Sequence, residues 1–177
     1  FDHCGGTTYI DKITKERKLT FPNANHYISK LQWENAFNPN YRERSSYMTE
    51  NFAMLKDSRK LTLIENNTKL CDLVELRLFH GHTAGLMLPV ITDGDKQVFF
   101  AGDLIPARAS VPLAWVSAYD LFPLTSIDEK RAILNEAADD NWLMIFQHDA
   151  YCECCYVQKT ERGVRAGEIL KFNPVNN

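Results

Sequence analysis

Apolar and polar positions change rhythm near Leu61. Before it the pattern is short-ranged. Gly5-Gly6-Thr7-Thr8 and the polar stretch to Leu19 read as a loop with room for a helix start. Residues 25–29 follow Phe21-Pro22-Asn23, a turn-like lead-in, as a short strand. Leu31, Trp33-Glu34 and Phe37 fall at helical spacing, which predicts a helix over 30–37 stopped by Asn38-Pro39-Asn40. Tyr47, Met48, Phe52 and Leu55 share one side of a second helix over 45–55. Beyond that, runs at 61–64, 74–79, 86–92 and 97–101 are strand-like, with Asp93-Gly94-Asp95 as a hairpin signal. An amphipathic helix is predicted over 126–139, with Ser126 as its cap, Glu129 completing a capping box, and Ile127, Ala132, Ile133, Leu134 and Ala137 as its apolar positions. Residues 142–146 form a short buried strand, and 152–159 with 165–172 a last hairpin turning at Glu161-Arg162-Gly163. Strands in a block with helices around them predict an α+β or layered α/β class.

Length and composition narrow this reading. The chain has 177 residues, 45% hydrophobic and 24% charged, which suits one globular domain over 1–177. Twenty Lys and Arg against 23 Asp and Glu give a net charge of −3, without a basic run. A nucleic-acid partner is therefore not expected. No apolar stretch approaches the roughly 18–20 residues of a membrane span, so neither is a membrane. Five cysteines, three of them in Cys152-Glu153-Cys154-Cys155, make a poor disulfide framework. Buried, reduced thiols in the cytoplasm are the better expectation. No signal peptide is visible ahead of Phe1-Asp2-His3.

Histidines and carboxylates carry the candidate chemistry. His3 follows Asp2 and precedes Cys4-Gly5-Gly6; His82 lies in Gly81-His82-Thr83-Ala84-Gly85 beyond the 74–79 strand. Asp103 ends Phe99-Phe100-Ala101-Gly102-Asp103, and His148 closes the apolar run before Asp149. Each metal-ligand type thus sits at a strand end or in the loop beyond it, where a sheet holds side chains rigidly beside an open cleft. Imidazoles and carboxylates without thiolates suit zinc first, and also manganese, iron or cobalt.

The ordered set Asp-His-x-Gly-Gly, Gly-His-Thr-x-Gly, Phe-x-Gly-Asp and strand-x-His resembles the metallo-β-lactamase fold hydrolases, whose hallmark is His-x-His-x-Asp-His. The resemblance runs from Phe1 to about His148. It implies an αββα sandwich of which the N-terminal half is absent here, Phe1 lying inside a longer polypeptide whose remainder is a partner of this portion. It also implies two divalent ions, most simply zinc. Asp2, His3, Asp103 and His148 would hold one ion; His82 and Asp103 would hold the other with upstream histidines. Asp2 and Asp103 would be the catalytic carboxylates, and a metal-bridging hydroxide would attack an ester, lactone or phosphoester. Segment Phe21-Pro22-Asn23-Ala24, the Trp33-Glu34 helix and the Arg42-Glu43-Arg44 turn resemble the acyl-homoserine-lactone lactonase branch. The substrate is a small molecule, and a homodimer is left open.

Other polar residues compete for these roles. His80 is read as structural or as support for a ligand, and His26 as a surface or core-edge histidine. Asp149 either orients a ligand or makes a turn, and Cys4 packs. Trp115, Tyr119 and Phe122, in the turn-rich stretch 106–123 after Asp103, are candidate walls of a substrate pocket. A glyoxalase-like thioester hydrolase on the same metals ranks lower, because no basic patch for an acidic thioester is evident. A nuclease ranks lower still. A non-catalytic, truncated member of the fold is the alternative of a different class.

Overall fold

A computed structural model describes residues 3–171. The chain divides into two compact units, Phe1–Glu65 and Asn66–Asn177. Among the described residues no helix is long and apolar enough to cross a membrane.

The first unit opens with a hairpin, β1 (Thr8–Ile10) against β2 (Arg17–Leu19), in register Ile10↔Arg17. Here the expected loop is corrected. Asp11 makes the turn, accepting from the amides of Ile13 (2.9 Å) and Thr14 (2.8 Å) and pairing with Lys18. Tyr9 and Ile10 stay exposed, so no buried alternation marked the strands. β3 (His26–Ser29) pairs in parallel with β4 (Leu61–Ile64), and Ser29 caps α1 (Lys30–Phe37) through Gln32 N–H at 3.0 Å. The helix runs where its spacing put it, but it buries Gln32 and Ala36 and leaves Leu31 and Phe37 exposed. The second expected helix is replaced by two 3₁₀ turns, Thr49–Asn51 and Ala53–Asp57. Neither has a side-chain cap, and Phe52 between them leaves the helical region at φ −132°. Packing still fixes the segment, because Phe52 lies edge-on to Trp33 and Phe37 over Ala36 and Tyr47.

The second unit is a seven-stranded sheet in the order β11-β10-β9-β8-β7-β6-β5. Its strands are β5 (Thr68–Cys71), β6 (Val74–Phe79), β7 (Leu86–Asp93), β8 (Lys96–Phe100), β9 (Leu143–Ile145), β10 (Cys154–Thr160) and β11 (Gly163–Ala166). β5, which carries no buried residue, had no sequence signal. β7 and β8 join through the two-residue loop Gly94-Asp95, as its signal predicts. The last hairpin is shorter than expected: Thr160 faces Gly163 across Glu161-Arg162, and β11 ends at Ala166. Its expected end at Phe172 lies outside the described residues. All neighbours are antiparallel except β8 and β9, which are parallel and joined through α2 (Pro123–Asp139).

α2 starts four residues earlier than its cap signal implied. Pro123 occupies the first turn, the cap position is Phe122, and no side chain caps it. Ser126 is inside the helix and fully buried. The buried stripe is Ser126, Lys130, Ile133, Leu134 and Ala137, whereas Ala132 is exposed. This face meets β10 and β11 over a core built on Phe99, Trp142, Met144 and Val157. Arg77 ties β6 to α2 through a two-point pair with Glu136 (2.6 and 2.9 Å) while lying over the Trp142 ring.

Candidate metal centre

The C-terminal ends of β6 and β8 and the segment after β9 bring three of the expected ligands together within the second unit. β8 ends at Phe100, and Gly102 turns the chain at φ +45°. The positive φ favours glycine here, and a Cβ on Gly102 would stand 2.5 Å from Leu88 Cδ2, so that side chain would have to shift for any other residue. Asp103 then points one oxygen to each side: Oδ1 lies 2.9 Å from His148 Nε2 and Oδ2 3.7 Å from His82 Nε2. His148 is placed by its own amide, which donates to Pro106 O at 3.0 Å.

The His82 ring is fixed from behind. Its Nδ1 lies 2.9 Å from Asp120 Oδ1, and both side chains are buried. A carboxylate accepts only, so Nδ1–H donates; in the neutral ring this leaves the lone pair on Nε2, which faces Asp103. Metal-binding histidines share this arrangement, with a carboxylate behind the ring setting the tautomer and raising basicity. Two imidazole nitrogens around one carboxylate, one of them committed in this way, fit a divalent ion of the zinc type. Asp120 was missed because it lies 38 residues from His82, and no local spacing links the two.

The remaining expected residues fall in different places. Asp2 lies outside the described residues. His3, in the first unit, donates its amide to Ser46 O and has Nδ1 3.2 Å from the Tyr47 hydroxyl, with the two rings edge to face. Gln32 donates to the same hydroxyl, so helix α1 also reaches the His3 ring through Tyr47. Cys4 packs with the Ala36, Tyr47 and Phe52 cluster, and burial pushes its thiol up to about 11. His80 Nδ1 accepts from Gly85 N–H at 3.2 Å and closes the Gly-His-Thr turn, a structural role. Asp149 makes a turn: it accepts from the amides of Arg108, Tyr151 and Cys152, all at 2.9 Å. Burial raises its carboxyl, but those bonds and the Arg108 charge bring it below the ordinary value.

Trp115, Tyr119 and Phe122 are all exposed on the stretch between β8 and α2. That stretch is anchored by Lys130, a fully buried side chain whose Nζ donates to the carbonyls of Ser110 (2.6 Å), Pro112 (3.1 Å) and Trp115 (2.8 Å). Burial pushes this ammonium down to about 8.

With this geometry in view, residues 1–148 match the Metallo-beta-lactamase superfamily. The chain belongs to that superfamily. Its fold is the mixed α/β metallo-β-lactamase fold that the motif order implied. Similar solved structures include a probable metal-dependent hydrolase from Staphylococcus aureus, at 25% identity and TM-score 0.75, covering 89% of this chain and 56% of that one. AidC, a dizinc quorum-quenching lactonase in complex with a product, matches at 22% identity and TM-score 0.74, covering 97% and 62%. AbOPH, a hydrolase in the beta lactamase superfamily, matches at 13% and 0.70, covering 88% and 58%. The chain thus spans a little over half the length of these three proteins. No curated protein matches it.

Proposed function

We propose that the protein is a metal-dependent hydrolase acting on an ester, lactone or phosphoester of a small molecule. One observation carries this reading: His82 has its Nδ1 committed to Asp120 and its Nε2 turned to Asp103, whose other oxygen meets His148. Asp103, His82 and His148 would hold divalent ions, with zinc first on the donor set. Asp2 and His3 join the ligands on motif order, and upstream histidines of the same protein would complete the set. When bound, such ions supply Lewis acidity and a water acidified toward neutrality. Asp103, with one oxygen toward His148 and the other toward His82, would offer a carboxylate to both groups of ligands, and its charge would offset the repulsion between two cations. Asp120 keeps the His82 ring in its ligating tautomer. No Ser or Cys nucleophile is needed, and Cys4, buried and high in pKa, suits none.

Trp115, Tyr119 and Phe122 would receive the apolar part of the substrate, on a stretch that Lys130 holds in place. The lactonase leaning draws on AidC, itself a dizinc lactonase. All five cysteines are free, which supports a cytoplasmic setting.

The test is hydrolysis of lactone, aryl-ester and phosphotriester panels by the full-length protein, before and after chelation, with metal content measured in parallel. Asp103→Ala is expected to lose both metal and at least about 100-fold in rate. Activity that survives chelation, or Asp103→Ala with wild-type rate, sinks the reading. A full-length protein that binds metal but hydrolyses nothing across the panels would instead support a non-catalytic member of the fold.

A further inference from the structure

Glu129 does not serve the helix it belongs to. Its carboxylate leaves the second turn of α2 and accepts two amides of the turn that ends β6: His80 N–H on Oε1 at 2.6 Å and Gly81 N–H on Oε2 at 3.0 Å. Carbonyls of the same turn are taken up by the residues leading into α2. Gly81 O accepts from Phe122 N–H at 2.9 Å, and His82 O accepts from Leu121 N–H at 3.1 Å. Contact is close enough to forbid a side chain at 81, since a Cβ there would lie 2.3 Å from Ser126 Oγ and 2.4 Å from Ser126 N. Just beyond, Asp120 takes the His82 ring nitrogen.

We propose that Glu129 is a positioning residue, setting the backbone orientation of the His80–Gly81–His82 turn and so the direction in which His82 presents Nε2. The inference rests on the reading of His82 as a metal ligand. Its physical basis is leverage. Asp120 fixes the ring's rotation, but only the backbone fixes where the ring begins. Charge-assisted bonds to two successive amides fix the 79–80 and 80–81 peptide planes far better than neutral contacts would, and Phe122 N–H holds the oxygen of the 81–82 peptide that follows. A ligand displaced by about 0.5 Å or turned by 10–20° is outside productive geometry. Groups of this kind alter metal affinity by about 10–100-fold when removed. His148 is placed by its own amide, which donates to Pro106 O, so the effect belongs to the ion that His82 serves.

The experiment is zinc titration of the full-length protein against a chromophoric chelator, for wild type, Glu129→Ala, Glu129→Gln and the control Glu136→Ala. The control severs the Arg77 pair nearer the other end of α2. Glu129→Ala is expected to lose about 10–100-fold in affinity for one ion while the second changes by less than about 3-fold. Glu129→Gln keeps one accepting oxygen and should fall between. Glu136→Ala should lower the melting temperature and leave both affinities in place. Wild-type affinities in Glu129→Ala, or an equal loss at both ions, would overturn the inference. If Glu129→Ala loses its near-ultraviolet circular dichroism, Glu129→Gln decides, and unchanged affinities there overturn it. A wild-type protein that binds no zinc would overturn the metal reading itself, which is a separate result.

Discussion

Burial is organised on different scales in the two compact units. In Asn66–Asn177 a seven-stranded sheet and a 17-residue helix enclose a continuous core that runs from Phe79 to Val164. In Phe1–Glu65 two-stranded pairings, an eight-residue helix and 3₁₀ turns surround a small cluster of Ala36, Tyr47 and Phe52. Long-range pairing imposes a register in the first case, and a slip of one residue would turn the core outward. In the second, polar side chains do much of the shaping: Asp11 at one turn, Ser29 at the helix start, and Glu43 accepting from Asn35 and Asn40 after the helix. A large core tolerates a poorly capped helix; a small one depends on its caps and turns.

The largest expected effect breaks this contrast directly. Phe99→Ala should cost about 4–5 kcal/mol and shift the whole urea transition, because Phe99 is wholly buried between Phe79 and Trp142. Phe52→Ala, at nearly the same burial, should cost about 3 kcal/mol, since a small cluster collapses more easily. Hydrogen exchange should show the second change mainly in residues 3–65. Equal costs with identical exchange patterns would mean that the two regions behave as one cooperative body.

Lys130 sharpens the comparison from the polar side of the larger core. Its folded pKa of about 8 lies below the ordinary 10.5, so between those values the unfolded chain holds a proton that the folded chain lacks. Stability therefore rises with pH across that window through this group, by up to about 3 kcal/mol. Lys130→Met should abolish that slope in pH-dependent urea melts and loosen residues 110–115 in hydrogen exchange. A slope that persists in the variant would assign it to another group.

Gly81→Ala comes next, at about 1–3 kcal/mol. The added Cβ meets backbone atoms of Ser126, which cannot swing aside, so α2 and the turn must part. Thermal melts with and without zinc should show a smaller zinc-induced rise than in wild type. The smallest effect concerns the thiols. Cys71 is exposed, while Cys152, Cys154 and Cys155 are buried, and burial pushes Cys155 up to about 11. At pH 8 its thiolate fraction is about a thousandth. An aromatic disulfide reagent should therefore label Cys71 rapidly and the clustered thiols only in denaturant, and Cys71→Ser should change stability by less than about 0.5 kcal/mol.

Legibility in the sequence followed the same division. The strands at 74–79, 86–93 and 96–100 announced themselves through apolar runs, because their side chains are sorted by a sheet with a buried face. The hairpin at 8–19 did not, since its side chains are largely exposed and its turn rests on one carboxylate. Glu129 shows the limit most clearly. Three residues after Ser126 it spells a capping box, yet both of its oxygens bond to amides nearly fifty residues away in the chain.

By itself the sequence determined the metallo-β-lactamase family, through the order of His3, His82, Asp103 and His148, and the kinds of donor atom available to a metal. Ligand identity is a covalent property, carried by residue type and spacing. Tertiary structure alone decided which side chains stand behind those donors: Asp120 on His82, Glu129 on the turn before it, and Lys130 under the stretch that bears Trp115. These partners are distant in the chain and are chosen by packing. A hydrogen bond forms wherever folding leaves a buried donor facing an acceptor, whatever their separation in sequence.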